Sequence, residues 1–152
     1  MFGLSQSAGY AIRALSCLES RRCANKSVGG VAACSGIPRP YLGKIARRLV
    51  TAGLLRSRRG KHGGLQLARP AARISLLSVA EAMDGPGFLD GCLLGSGPCA
   101  EDPDCPLHAF WKAERDRVRA VLSARTLADV ASYEDTKVHR PRTRARRMRL
   151  CA

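Results

Sequence analysis

Acidic residues are almost missing from the first seventy positions, where Glu19 stands alone against 13 Lys+Arg. Aromatics are scarce throughout, at 5% of the chain, and the basic stretches are not interleaved with them. That argues against an RNA-binding module, which stacks exposed bases on aromatic rings. No run approaches the roughly 18 apolar residues of a membrane span. The start has no basic stretch followed by an apolar run and a small-residue cleavage site, so a cytoplasmic protein without membrane contact is expected. No GxGxxG or GK[ST] loop occurs. Neither paired carboxylates nor a nucleophile–base pair stand out, so an enzyme is not expected.

What is present is positive charge, unevenly placed. The 152 residues are 45% hydrophobic and 25% charged, a globular composition with a formal charge of +14. Positions 1–70 carry a surplus of twelve positive charges, and positions 71–136 carry 6 bases and 11 acids. Positions 137–152 add 7 bases and no acid. A cationic front and tail around an acidic middle describe a polyanion-binding head joined to something else.

The front reads as short helices followed by a hairpin. Ala8, Ala11, Ile12, Leu15 and Leu18 recur at three- and four-residue spacing, which predicts a helix over 7–20. Ser27 can cap a second helix running to about Cys34, and Ser35-Gly36-Ile37 makes a tight turn. Pro38 and Pro40 lead into a third helix whose apolar side is Tyr41, Leu42, Ile45, Leu49 and Val50, with Gly53 just past its end. Arg39, Lys44, Arg47 and Arg48 remain for its outside. This describes a helix-turn-helix, although a plain three-helix core would look the same. The next segment favours the first reading. Residues 54–58 and 65–67 are strand candidates around the turn Arg59-Gly60-Lys61-His62-Gly63-Gly64, which makes a wing. Its glycines allow close backbone approach to DNA, and Arg58, Arg59 and Lys61 can neutralise phosphates.

Residues 74–84 read as a further helix, closed by Gly85-Pro86-Gly87. Cys92, Cys99 and Cys105 follow in a Gly/Pro/Asp-rich loop, with His108 three residues after the last, a separation that puts Cys105 and His108 on one face of the helix they open. Three thiolates and an imidazole suit zinc or an iron–sulfur cluster and suit magnesium or calcium poorly. Structural zinc uses tighter pairs, so the wide gaps favour a larger cofactor. Residues 106–124 predict a long helix able to pair with a symmetry mate, and Thr126 can cap a short helix through Val130. Cys17, Cys23 and Cys34 read as small hydrophobes in a reducing compartment rather than as a disulfide framework.

This order (winged helix-turn-helix with the wing RRGKHGGLQLARP, the helix ISLLSVAEAMDGP, the three-cysteine loop and CPLHAFW) resembles the bacterial iron–sulfur winged-helix regulators of the IscR/NsrR/RirA group, over about residues 4–133. The resemblance implies a mainly α fold with a small β-hairpin wing. It also implies a homodimeric transcription factor, a repressor, whose cluster state controls binding to a pseudo-palindromic site on double-stranded DNA. Cys92, Cys99 and Cys105 match the family's cysteines, and His108 matches the IscR-type histidine, implying a 2Fe–2S cluster. Gly9 stands near where the NsrR type places an acid, so the IscR type fits better. The expected DNA contacts are Arg39, Tyr41, Lys44, Arg47, Arg48, Arg58, Arg59 and Lys61. The expected organisation is a DNA-binding region (1–84), a cluster loop (85–108), a dimerisation helix with a terminal short helix (106–133) and a basic, disordered tail (134–152). The alternative is a winged-helix regulator with structural zinc or a cluster-free thiol switch.

Overall fold

The computed structural model describes residues 4–20, 23–58, 60, 63–95, 97–99 and 104–138. Helix α1 (Gln6–Glu19) starts one residue before the sequence suggests, because the Ser5 hydroxyl accepts from the Ala8 N–H. Ser27 caps α2 (Val28–Ser35) by accepting from the Gly30 N–H at 3.1 Å. Gly36 then turns left-handed at φ 67, which a Cβ would disfavour, and the Ile37 N–H closes on the Ala32 carbonyl. Helix α3 (Arg39–Thr51) follows, with Pro40 in its first turn, where a missing N–H costs nothing.

These three helices pack on one another, and the core between them is aliphatic. Leu15, Leu42, Ile45 and Leu49 are almost wholly enclosed. Each contributes about 1.5–3 kcal/mol through burial. The wing is a two-stranded antiparallel hairpin of β1 (Leu55–Arg58) and β2 (Gly64–Leu67), with Leu55 facing Leu67 and Arg58 facing Gly64. Leu55 and Leu65 fix it to the core.

A short 3-10 turn (Ala71–Arg73) leads to α4 (Leu76–Asp84), capped by Ser75, which packs across α1. The Ser5 hydroxyl donates to the Asp84 carboxylate and the Ser5 N–H bonds it at 3.2 Å, closing the front of the molecule. Helix α5 (His108–Ala124) packs mainly on α4, and α6 (Leu127–Val138) returns to α1. The mainly α architecture with a hairpin wing is therefore as the sequence suggests.

The bounds of the last two helices also differ. The long helix begins at His108 rather than Pro106, because residues 105–107 offer no capping side chain and a backbone turn from the His108 N–H to the Cys105 carbonyl starts it instead. Its 17 residues span about 26 Å. The final helix runs to Val138, not Val130. Thr126 and Asp129 form a reciprocal cap at its start, with the Thr126 N–H on Asp129 Oδ2 at 2.8 Å and the Asp129 N–H on Thr126 Oγ1 at 3.4 Å. The expected tail from 134 therefore starts inside this helix. Among the described residues no helix is long and apolar enough to cross a membrane.

Candidate functional site

Two clusters of functional groups occupy different parts of the chain. The first is the cationic face of the head. Arg39, Lys44, Arg47 and Arg48 are all exposed along α3, while the opposite side of the helix is buried. Tyr41 is half-buried. Its hydroxyl shares a 2.8 Å hydrogen bond with the Ser7 hydroxyl, and its ring meets Tyr10 edge-on at 5.5 Å, so it anchors α3 to α1. Arg58 is exposed at the end of β1. Arg59, Lys61 and His62 lie outside the described residues.

The wing also gathers two cations that sequence reading passed over. Lys26, Arg56 and Arg58 line a hollow of about 470 Å³ beside the hairpin glycines. Lys26 reaches the wing because the Leu65 N–H donates to its carbonyl at 2.7 Å, which draws the loop before α2 alongside β2. Gly64 permits this approach, since a Cβ there would sit 2.8 Å from the Lys26 carbonyl oxygen. Only the positive charge of Lys26 was legible in sequence; the pairing that places it is non-local.

The second cluster is the loop between α4 and α5. The chain folds back at Gly91 and Pro98, with the Cys92 N–H on the Gly97 carbonyl at 2.7 Å and the Cys99 N–H on the Asp90 carbonyl at 3.0 Å. Cys92, Cys99 and Cys105 are half-exposed. Cys99 Sγ lies 3.5 Å from His108 Nδ1, at the first residue of α5. The expected pairing of Cys105 with His108 on one helical face is corrected, because Cys105 precedes the helix and meets His108 through its carbonyl.

Helix α5 holds the base of this loop with side chains whose role the sequence did not reveal. Trp111 Nε1 donates to the Gly91 carbonyl at 2.7 Å, the buried Arg115 reaches the Asp90 carbonyl at 3.5 Å, and Arg119 pairs with the Asp90 carboxylate at 3.1 Å. Their partners lie some twenty to thirty residues earlier, beyond the reach of helical periodicity.

The loop's donors fit an iron–sulfur cluster chemically. All are soft or imidazole ligands. The Leu94 N–H points at Cys92 Sγ at 3.4 Å, a contact that favours a thiolate, and Cys99 and His108 already touch. The loop set is not drawn as tight as a single ion needs. Among the described residues the three donors within 4.8 Å of one another are Cys17, Cys23 and Cys34. A binuclear centre spreads its ligands over two metal atoms and accepts the wider spacing. The structure also joins Cys17 to Cys34 in a disulfide, and Cys34 is exposed, so those residues are not the inert hydrophobes that the sequence suggests.

Helix α5 carries a further feature. Phe110, Val118 and Val121, 58%, 40% and 53% exposed, lie on one side of it.

Comparison with known proteins gives a consistent answer. The profile of the Rrf2 family, described as iron-dependent transcriptional regulator, matches residues 4–133. A Mycobacterium tuberculosis protein named as an HTH-type transcriptional regulator is 39% identical over 132 residues, which cover 84% of this chain and 80% of that one. The HTH-type transcriptional regulator IscR of Cronobacter sakazakii is 34% identical, covering 72% of each chain. Among solved structures, CymR, the global cysteine regulator of Bacillus subtilis, matches with a TM-score of 0.70 and 26% identity, covering 88% of this chain and 98% of that one. These relatives regulate transcription and are not enzymes.

Proposed function

The chain belongs to the Rrf2 family of transcriptional regulators, and from that premise we propose that it is a homodimeric, DNA-binding repressor governed by an iron–sulfur cluster. The cluster, of the 2Fe–2S type, would be held by Cys92, Cys99, Cys105 and His108. The observation that carries this reading is the contact of Cys99 with His108 at the start of α5, which joins the loop to the long helix through two iron-compatible donors.

The head supplies affinity. Arg39, Lys44, Arg47 and Arg48 present the exposed side of α3 to the major groove, where an arginine pairs best with guanine O6 and N7. Tyr41 sets the angle of that helix against α1. Arg58, with Lys26 and Arg56 beside it, lies against the phosphates, and Arg59 and Lys61, adjacent in sequence, are the further contacts of this reading. Occupying an operator excludes other proteins from the same DNA, which is enough for repression and places the protein in the cytoplasm with the genome.

The exposed apolar side of α5 supports the dimer. Two copies paired along that helix would present their α3 helices about 34 Å apart, one turn of DNA, and so read a pseudo-palindromic site. When bound, the cluster supplies a redox-active centre of variable charge. The chain's own residues do the rest. Trp111, Arg115 and Arg119 hold residues 90–91 to α5, so the position of the loop and the position of the dimer helix are coupled. Freeing the thiolates loosens the rest of the loop from the start of α5, and the two heads can then change spacing.

A second reading, a cluster-free or zinc-bearing regulator, is favoured by the likeness to CymR, the global cysteine regulator. Anaerobic purification with iron, sulfide and zinc assays separates the two. Brown protein with equal iron and sulfide supports the cluster. Colourless protein with stoichiometric zinc, or with neither metal, overturns it.

A further inference from the structure

Three cysteines outside the loop meet inside the DNA-binding head. Cys17 belongs to α1, Cys34 to the last turn of α2, and Cys23 to the segment between them. Their sulfurs all lie within 4.8 Å of one another. Cys17 and Cys34 are bonded across a Cα separation of 6.7 Å, while Cys23 is a buried free thiol whose Sγ donates to the Asn25 carbonyl at 3.4 Å.

Beside the bonded pair lies a cavity of about 60 Å³, also lined by Arg13, Ser16, Ser20 and Glu134. That is room for about two water-sized molecules. Ser16 is 2% exposed, and its hydroxyl has no hydrogen-bond partner among the described residues. A buried hydroxyl left unpaired is costly, so it marks a place where a small polar molecule belongs. Arg13 donates to the Ser35 carbonyl at 2.6 Å, which fixes its guanidinium at this wall.

We propose that Cys34 and Cys17, with Cys23 as a third thiol, form a dithiol site in the head that a hydroperoxide oxidises, chemically separate from the loop cysteines. The exposed Cys34 thiolate attacks the peroxide O–O bond. An S–O bond forms, the O–O bond breaks, and the departing oxygen takes a proton to leave as water or an alcohol. Arg13 supplies positive charge where that oxygen becomes negative, and Ser16 donates a hydrogen bond to it. The Cys17 sulfur then displaces the hydroxyl of the Cys34 sulfenic acid. The S–S bond forms, the S–O bond breaks, and water leaves with the Cys17 proton. Two electrons pass from the two thiols to the peroxide.

Cys23 lies close enough to reopen the bond by exchange. Burial pushes its thiol pKa up, against the opposing pull of Lys26, so it stays protonated and slow at neutral pH. The three thiols could also hold zinc, but the bonded pair leaves only Cys23 as a free donor. Because α3 packs on both α1 and α2, the bond braces the frame that carries the exposed arginines of α3. The closed segment is 17 residues, so oxidation should raise the thermal midpoint by about 5–10 °C.

The test uses full-length, anaerobically purified protein, treated with stoichiometric hydrogen peroxide, alkylated and cut with trypsin. Arg21, Arg22 and Lys26 place Cys17, Cys23 and Cys34 on separate peptides, whereas Cys92, Cys99 and Cys105 share one. The expected product is a Cys17–Cys34 linked pair, reversed by dithiothreitol and lost in Cys34→Ser while iron content is kept. Ser16→Ala should slow its formation roughly two- to tenfold, the worth of one hydrogen bond. Full alkylation of Cys17 and Cys34 after peroxide, or one zinc per chain that Cys34→Ser releases, would overturn the proposal. An unchanged rate in Ser16→Ala would overturn the cavity's part in it.

Discussion

Replacing Arg58 with alanine tests the wing with little risk to the fold. The side chain is exposed, and the backbone pairing of residue 58 with Gly64 does not depend on it, so stability should change by no more than about 0.5 kcal/mol. Each lost phosphate contact removes about 0.9 from the slope of log affinity against log salt. A dimer loses two contacts, so the slope should flatten by about 1.8. If the two proteins bind alike near 1 M salt, the variant should bind about 60-fold more weakly at 0.1 M. Fluorescence anisotropy on a labelled duplex of arbitrary sequence reads this directly, because phosphate contacts are blind to sequence. An unchanged slope would refute placement of the wing at the phosphates, and a change near 0.9 would refute the dimer.

Three other outcomes follow from the same geometry. Trp111→Phe keeps the ring but loses the bond to the Gly91 carbonyl, so it should cost about 1 kcal/mol in thermal unfolding and speed iron loss to a chelator. Phe110→Glu places charge on the exposed apolar side of α5, so sedimentation equilibrium should report monomers where the native protein reports dimers. Asp129 is held below the usual carboxylate range, first by the Thr126 N–H and then by the Thr126 hydroxyl. Its folded pKa is depressed, so its contribution is present above the unfolded value and disappears as pH falls through the folded one. Asp129→Asn should therefore flatten the acid limb of the stability profile, read by circular dichroism between about pH 5 and pH 2.

Local chemistry made much of the fold legible. Ser27, Gly36, Pro40 and Gly53 act where their side chains or backbone freedom predict, and the aliphatic periodicity of α1 and α3 marks their buried sides. The start of α5 was not legible, because residues 105–107 carry no cap and only a backbone turn decides it. The extent of α6 was hidden in the same way, since the polar run after Val130 is carried in part by packing on α1.

The site divides similarly. Spacing and residue type pointed to Cys92, Cys99, Cys105 and His108, but spacing set Cys105 beside His108, whereas the fold of the loop brings Cys99 to it. Lys26, Trp111 and Arg115 escaped because each acts through a backbone group distant in sequence. Cys17 and Cys34 escaped because two cysteines 17 residues apart on different helices give no periodic signal.

The most direct measurement is DNA affinity on a single anaerobic preparation before and after its iron is removed by chelation. Iron loss should shift affinity for a cognate duplex by tenfold or more, with the shift absent in Cys99→Ser protein. Equal affinity in the iron-loaded and iron-stripped samples would contradict control of the head by the loop.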